Sequence, residues 1–301
     1  METKAESQAE LLVDSQDFLG EGVRWCERSG RVFWTNIEGC KLHALTLATG
    51  VRETWVMPER LACFALTDDA HLLLLGLASR LAWYDLRSSA VTTLHVVEAD
   101  MPMTRLNDGR CDRQGRFVFG TLDERPCRDA IGSFYRLNLD LSLERLPLPN
   151  VAISNSICFS VDGAAMYFCD SIQGVIWRWD DYLGGDASRV KVFAHLAGEP
   201  GAPDGATIDA DGCLWSAQWG AARVLRFAPD GTVERQVSLP VSQPSCVSVG
   251  GPGYNEVFIT TAQENLTPEQ LAAEPQAGGL FHARFDDVRG LPEVRFKALP
   301  V

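Results

Sequence analysis

The sequence predicts an all-β fold, a six-bladed β-propeller in which residues 1–301 form a single domain. Three observations support this: six short apolar strands recur at similar intervals, turn residues precede them, and helical signals are nearly absent. The first residues of successive strands are 40, 45, 49, 48 and 43 residues apart. Repeats of this length are typical of propeller blades, which bury their faces against neighbouring blades around a central channel. The six strands are predicted at 32–34, 72–75, 117–119, 166–168, 214–215 and 257–259.

A turn rich in aspartate or glycine precedes each strand, because glycine reaches positive φ and aspartate caps its own backbone. The clearest turns are at 27–30, 112–115, 161–163 and 209–212, and weaker ones are at 67–69 and 250–253. A second strand, often aromatic, follows the first, as at 175–179 and 224–227. A two-sheet sandwich is the main alternative, but it does not explain so long a period repeated six times.

The chain ends are expected to close the ring. Residues 11–13 or residues 294–296 are the candidates for the strand that completes the last blade, and residues 1–10 are expected to be loosely held. One short helix is predicted at 267–273, since Thr267 is a suitable N-cap and Pro268 suits the first helical position.

Composition excludes several classes of function. The formal net charge of −13 and the lack of basic clusters argue against binding nucleic acid or an anionic membrane surface.

No secretory signal is recognisable at the N-terminus, so we expect a cytoplasmic protein. We expect it to be a monomer or weak homo-oligomer. The nine cysteines form no Cys-x-x-Cys pair and lie mostly in apolar runs, which predicts reduced core residues rather than disulfides or zinc ligands.

Four polar clusters interrupt the apolar pattern seven to eleven residues before a predicted strand, and we expect them in loops at one mouth of the channel. Equivalent positions around a ring face one another, so Glu21, Asn155 and Asp204 are predicted to converge. Two carboxylates and an amide oxygen suit Ca²⁺, Mg²⁺ or Mn²⁺, with Zn²⁺ or iron left open. Each cluster alone is more often a hairpin turn than a site. The clusters are at 19–22, 105–109, 153–156 and 203–205.

Five motifs in a fixed order carry a resemblance to a known family. They are Gly20-Glu21-Gly22, Arg105-x-Asn107-Asp108-Gly109, Gly120-Thr121, Ile153-Ser-Asn155-Ser156 and Pro203-Asp204-Gly205. This set resembles the senescence-marker-protein/gluconolactonase/regucalcin family from about Glu21 to the last strand pair. The resemblance implies a propeller that hydrolyses lactones of sugar acids with one divalent cation at the channel mouth.

The resemblance also implies roles for individual residues. Glu21, Asn155 and Asp204 are expected to bind the metal, with Asp204 also the general base that takes a proton from the attacking water. Arg105 and Asn107 are expected to contact the hydroxyls and carboxyl end of the substrate. The expected substrate is a pentono- or hexono-1,4-lactone of sugar catabolism, such as L-arabinonolactone.

Two positions depart from the family pattern. Val23 stands where many members have proline, which affects only loop rigidity. Arg125 stands where animal members have a glutamate that reaches the sugar, so the acidic role is expected to move to Asp123 or Glu124.

Other functions remain open at this point. A serine hydrolase is disfavoured because the sequence has no Gly-x-Ser-x-Gly elbow. The alternatives are a metal-dependent aryl-ester or organophosphate hydrolase and a non-catalytic propeller, either an interaction module or a calcium buffer.

Overall fold

Residues 7–299 are described by a computed structural model, and over this range the chain forms 25 strands and one short α-helix. The strands make six sheets, each with four antiparallel strands, and one sheet has a fifth, parallel strand at its edge, so the predicted six-bladed propeller is confirmed. The helix, α1 (Pro268–Ala273), begins after Thr267, whose side chain caps it as predicted. A single 3₁₀ turn is found at Ala187–Arg189.

In each blade the strands follow one another from the channel outward, and the strand next to the channel is called the innermost. Blade one is β3 (Gly20–Cys26), β4 (Arg31–Asn36), β5 (Lys41–Thr46) and β6 (Val51–Val56), and blade two is β7 (Leu61–Leu66), β8 (Leu72–Leu77), β9 (Arg80–Asp85) and β10 (Val91–Val96). Blade three is β11 (Thr104–Cys111), β12 (Phe117–Asp123), β13 (Phe134–Leu137) and β14 (Leu143–Arg145), and blade four is β15 (Ser154–Phe159), β16 (Met166–Asp170), β17 (Val175–Trp179) and β18 (Val190–His195). Blade five is β19 (Ala202–Ile208), β20 (Leu214–Trp219), β21 (Arg223–Phe227) and β22 (Val233–Ser238), and blade six is β23 (Pro244–Gly250), β24 (Glu256–Thr261), β25 (Leu280–Arg284) and β2 (Glu10–Val13).

The N-terminal segment closes the ring. Strand β2 pairs with β25, so residues 11–13 complete blade six, and β1 (Ser7–Gln8) adds a parallel strand to the edge of blade five. Residues 7–10 are therefore held in sheets, while residues 1–6 lie outside the described range. The alternative closing strand at 294–296 is wrong: Phe296 forms a parallel bridge with Thr67 in blade two.

Apolar side chains from facing blades fill the spaces between the sheets. Large residues such as Trp34, Trp215 and Phe168 are almost completely buried there, which accounts for the aromatic content of the second and third strands. All nine cysteines are free thiols, and seven of them are buried as predicted; Cys127 is exposed. Within residues 7–299 no helix is both long and apolar enough to cross a membrane.

The six innermost strands, β3, β7, β11, β15, β19 and β23, surround the channel, and each contacts the next around the ring. Each of them changes register with its neighbour at a comparable depth, which is the mark of a β-bulge. The polar clusters expected in loops before the first strand lie instead in these innermost strands, at the bulges. The strands that the sequence pattern showed are the second strands of the blades. The register changes fall at Glu21/Arg24, Leu61/Cys63, Leu106/Gly109, Asn155/Cys158, Pro203/Ala206 and Pro244/Cys246.

Candidate metal centre and substrate cavity

A cavity of about 260 Å³ opens at one end of the channel. The first halves of four innermost strands and the last residues of the second strands form its walls, because the two strands of a hairpin run in opposite directions. Glu21, Asn155 and Asp204 all line this cavity, as do Arg105 and Asn107. The remaining lining residues are Leu19, Ile37, Leu122, Arg128, Ile153, Ser171, Ile172, Ala202, Trp219, Glu264 and Asn265.

The bulges bring the three predicted ligands from blades one, four and five to the same depth. Gly22, which follows Glu21, has a φ of 60°, and Ser156, which follows Asn155, has a φ of 57°. A residue with positive φ turns the strand locally, so the preceding side chain points into the channel mouth instead of along the regular pleat. Glycine adopts this conformation without strain, which explains the Glu21-Gly22 sequence.

The carboxylates of Glu21 and Asp204 are held in a site with excess negative charge. Burial and the neighbouring Asp108 raise the pKa of Glu21 to about 8. Burial and the carboxylates of Glu21 and Asp108 raise the pKa of Asp204 well above its usual value. Among residues 7–299 no cationic side chain forms an ion pair with either group. A bound cation would offset this repulsion.

Hydrogen bonds from two sides orient Asn155. Its Nδ2 donates to Ser171 Oγ at 3.0 Å, and its Oδ1 accepts from Asn107 Nδ2 at 2.9 Å. With the amide nitrogen occupied by Ser171, the amide oxygen points toward the cavity side, and it keeps a second lone pair. This arrangement is the usual way in which a neighbouring residue fixes a metal ligand.

The structure places Asn107 in contact with protein groups on every side. Besides its bond to Asn155, its Nδ2 donates to the Ser154 carbonyl at 2.9 Å, and its Oδ1 accepts from Arg105 Nη1 at 2.9 Å. Both amide N–H groups are therefore used. Arg105 is 7% exposed, and its Nε lies 3.6 Å from Glu124 Oε1. A chain of contacts thus runs from Glu124 through Arg105 and Asn107 to Asn155.

Asp123 and Glu124 do not line the cavity. Asp123 is completely buried, and it accepts hydrogen bonds from Arg125 Nε at 2.9 Å and from the Asp129 amide at 2.7 Å. The hydrogen bonds from Arg125 hold the pKa of Asp123 well below its usual range. Glu124 forms a two-point ion pair with Arg60, at 2.5 and 3.0 Å. Asp123 therefore organises the connection between β12 and β13, and Glu124 links this connection to Arg60, which precedes β7.

Four polar lining residues escaped the sequence prediction: Arg128, Ser171, Glu264 and Asn265. Glu264 follows β24, and burial raises the pKa of its carboxyl. Arg128 lies in the β12–β13 connection and has a φ of 49°. Asn265 lies beside Glu264. One sequence signal could have found them, namely a polar residue just after the second strand of a blade. Such residues reach the same mouth of the channel as the starts of the innermost strands. Trp219, at the end of β20, also lines the cavity.

The donor set fits a hard divalent cation. Glu21 Oε2 accepts one hydrogen bond, from the Gly22 amide at 2.7 Å, which leaves Oε1 for a metal. The Asp204 carboxylate receives no side-chain hydrogen bond from the described part of the chain. Together with Asn155 Oδ1, these atoms provide carboxylate and amide oxygens, the ligands that Ca²⁺, Mg²⁺ and Mn²⁺ prefer.

Comparison with known proteins shows the family of this chain. A model of the SMP-30/Gluconolactonase/LRE-like region matches residues 19–263. The chain belongs to the SMP-30/gluconolactonase/LRE-like family. The matched residues include all six innermost strands with their bulges, and every residue that lines the cavity except Glu264 and Asn265.

Two relatives in sequence and one in structure cover nearly the whole length of this family member. L-Arabinolactonase of Azospirillum brasilense is 49% identical over 295 residues, 97% of each chain. The 6-deoxy-6-sulfogluconolactonase of Pseudomonas putida is 33% identical over 288 residues, 95% of this chain and 97% of its own. The crystal structure of a calcium-binding protein, regucalcin, from Agrobacterium tumefaciens has a TM-score of 0.90 at 29% identity, covering 97% of this chain and 99% of that one.

Proposed function

We propose that this protein hydrolyses the lactone of a sugar acid, with L-arabinono-1,4-lactone as the preferred substrate and a divalent cation held by Glu21, Asn155 and Asp204. The observation that carries the proposal is the convergence of these three oxygen donors in one cavity of a chain that is 49% identical to an L-arabinolactonase. The calcium-binding regucalcin of the same fold supports Ca²⁺ as the first metal to test.

Lactone opening adds water to an sp² carbonyl carbon and develops negative charge on the carbonyl oxygen. The bound cation would supply Lewis acidity, stabilising that charge and lowering the pKa of a water molecule. Asp204 Oδ accepts the proton of the attacking water and returns it to the ring oxygen as the C–O bond breaks. A carboxylate held on a cation has a lowered pKa, so Asp204 acts as a modest base, which suffices for the activated ester of a sugar lactone.

The cavity wall offers two kinds of contact to a sugar lactone. Leu122, Ile153, Ile172 and Trp219 supply apolar surface for the C–H face of the ring. Such a wall also excludes water other than the nucleophile. Arg105 and Arg128 supply N–H donors for hydroxyl groups at the rim, and Glu264 supplies acceptors. The mixture favours a polyhydroxylated ring over an apolar aryl ester.

The experiment is initial-rate hydrolysis, measured by proton release, on a panel of lactones and one aryl ester. The panel contains L-arabinono-, D-xylono-, D-galactono- and D-gluconolactone, each tested after chelation and after return of Ca²⁺, Mn²⁺ or Mg²⁺. We expect chelator-sensitive activity, highest on L-arabinonolactone. Every rate is read against the spontaneous hydrolysis of the same lactone.

Matched variants separate the site from the fold. Asp204→Asn preserves size and removes the base, and the control Asp14→Asn changes an exposed aspartate outside the cavity. Lactone hydrolysis that survives both complete chelation and Asp204→Asn in folded protein would refute the proposed chemistry. A preference for the aryl ester would instead support the alternative ester hydrolase.

A further inference from the structure

The channel has a second, closed end with its own cluster of charges. Arg24 and Arg110 follow Glu21 and Asn107 by three residues along β3 and β11, so they lie deeper than the metal centre. Residues 291–294 cover this end. The covering segment is fastened on both sides, since Arg289 O accepts from the Ala210 amide of blade five at 2.8 Å and the Phe296 amide donates to Leu66 O of blade two at 2.8 Å.

A cavity of about 20 Å³ lies under this cover. It is separate from the substrate cavity, and the two share no lining residue. A space of this size holds one water molecule or one monatomic ion. The polar residues around it are Arg110, Arg113, Thr207 and Glu293, and the thiols are Cys111 and Cys158.

Arg110 lines this cavity with unused donors. It is 6% exposed, and its Nη1 donates to Thr207 Oγ1 at 2.6 Å and to Ala206 O at 3.1 Å. Its Nη2 has no hydrogen-bond acceptor among the described residues, and its Nε makes only an ion-pair contact, at 3.2 Å, with Glu293 Oε1. An unused N–H group on a buried cation costs free energy, so a ligand that accepts from it is favoured.

The charges around the cavity do not balance. Glu293 Oε1 faces Arg110 Nε and also lies 3.5 Å from Arg24 Nε, so one carboxylate serves two buried guanidinium groups. Asp108 is another nearby acid. Its Oδ1 accepts a hydrogen bond from the Gly109 amide and its Oδ2 accepts one from the Ile157 amide, each at 2.8 Å. Arg113 adds a third cation, and burial and the Arg110 charge lower its pKa. Among the residues that line the cavity, Arg110 and Arg113 are therefore two cations that face one carboxylate, Glu293, which Arg24 shares.

We propose that this cavity binds one monovalent halide ion, chloride in the cell, against Arg110 Nη2 and Thr207. With Glu293, one further negative charge would balance the two arginines that line the cavity, which a water molecule cannot do. The small volume excludes sulfate, phosphate and carboxylates. Because Arg110 belongs to blade three, Arg24 to blade one and Glu293 to the covering segment, a bound ion would link these parts and stabilise the closed end.

The test measures the melting temperature of the calcium-loaded protein in sodium chloride and in sodium methanesulfonate at constant ionic strength. We expect the melting temperature to rise with the logarithm of the chloride concentration, by about 3 °C at roughly tenfold the dissociation constant. A crystal soaked in bromide should show an anomalous peak in contact with Arg110 Nη2. Equal melting temperatures in both salts, with no anomalous peak, would overturn the proposal.

Variants assign the effect to this cavity. Arg110→Met should abolish the chloride-dependent shift, whereas Arg226→Met should keep it, since Arg226 is equally buried but pairs with Asp209 and Asp211 in blade five. Glu293→Gln removes the carboxylate that repels the ion and should lower the chloride concentration needed for a given rise in melting temperature. This variant keeps the test open should Arg110→Met fail to fold. A chloride shift lost in Glu293→Gln would contradict the charge argument.

Discussion

Replacing Asn107 by alanine distinguishes two roles for a residue that sequence analysis assigned to substrate binding. In the structure its side chain makes three hydrogen bonds, to Arg105, Ser154 and Asn155, each at 2.9 Å. With both N–H groups engaged, Asn107 acts on the metal ligand Asn155 rather than on the sugar. We therefore expect Asn107→Ala to weaken metal binding more than substrate binding.

The magnitude follows from those contacts. Loss of a residue that orients a metal ligand lowers metal affinity by about 10- to 100-fold, or about 1.4 to 2.8 kcal/mol. The variant also leaves Arg105 Nη1 and the Ser154 carbonyl with fewer partners in a buried region, so stability should fall by about 2 kcal/mol. At saturating metal the amide of Asn155 is again held in place, so kcat should largely recover and KM should change by less than about threefold.

Two assays separate these outcomes. Calorimetric titration of Ca²⁺ into chelator-treated protein gives metal affinity, and lactone hydrolysis at saturating Ca²⁺ gives kcat and KM. Asn255→Ala serves as the control, because Asn255 is 7% exposed yet lies between β23 and β24, away from the cavity. Unchanged metal affinity together with a KM raised more than about tenfold would refute the positioning role and restore Asn107 as a substrate contact.

Three further predictions concern the carboxylates and ring closure. Asp204→Asn should lower kcat by about 10³-fold and weaken Ca²⁺ binding, measured by initial rates and titration; a variant with full metal affinity and full kcat would contradict both roles. Because the pKa of Glu21 is raised from 4.5 to about 8 in the folded metal-free protein, the protonated carboxyl stabilises that state at low pH. The melting temperature of chelated protein should thus fall as pH rises from 4.5 through about 8, and the Ca²⁺-induced increase should grow over the same range; a pH-independent Ca²⁺ effect would contradict this. Asp17→Ala removes the acceptor for Trp34 Nε1 at 2.9 Å and His43 Nε2 at 3.1 Å and should cost about 3 kcal/mol in urea unfolding, with a loss under about 1 kcal/mol as the contradicting result.

The fold was predictable from sequence because the repeat is regular where packing demands it. The second strand of each blade lies between two others and carries the most apolar run, so its 40- to 49-residue period is visible. The innermost strands were mistaken for loops, since their polar and small residues serve the channel and hide the strand pattern. Ring closure could not be decided, because residues 11–13 and 294–296 are equally short, and long-range pairing decides between them.

The candidate site was predictable in its metal ligands and less so in its substrate contacts. Glu21, Asn155 and Asp204 lie at equivalent bulges, so repeat position alone brings them together. The structure engages Asp123 with Arg125, a pairing two residues apart that sequence allowed but did not require. Residues such as Glu264 come from the ends of second strands, where no motif marks them. Their placement depends on the hairpin geometry of each blade.

The bulges also explain why so many cysteines line the channel. The residues that resume pairing after each bulge are Arg24, Cys63, Gly109, Cys158, Ala206 and Cys246. All but the first are small, and a Cβ added to Gly109 would come within 2.9 Å of Cys63 Sγ. Arg24 fills the centre instead: its Nη2 reaches across the channel to Gly109 O at 2.7 Å, and its Nη1 lies 3.8 Å from Cys246 Sγ. One large cation surrounded by five small residues closes the channel below the metal centre, so the substrate cavity ends at a charged floor and not in an open pore.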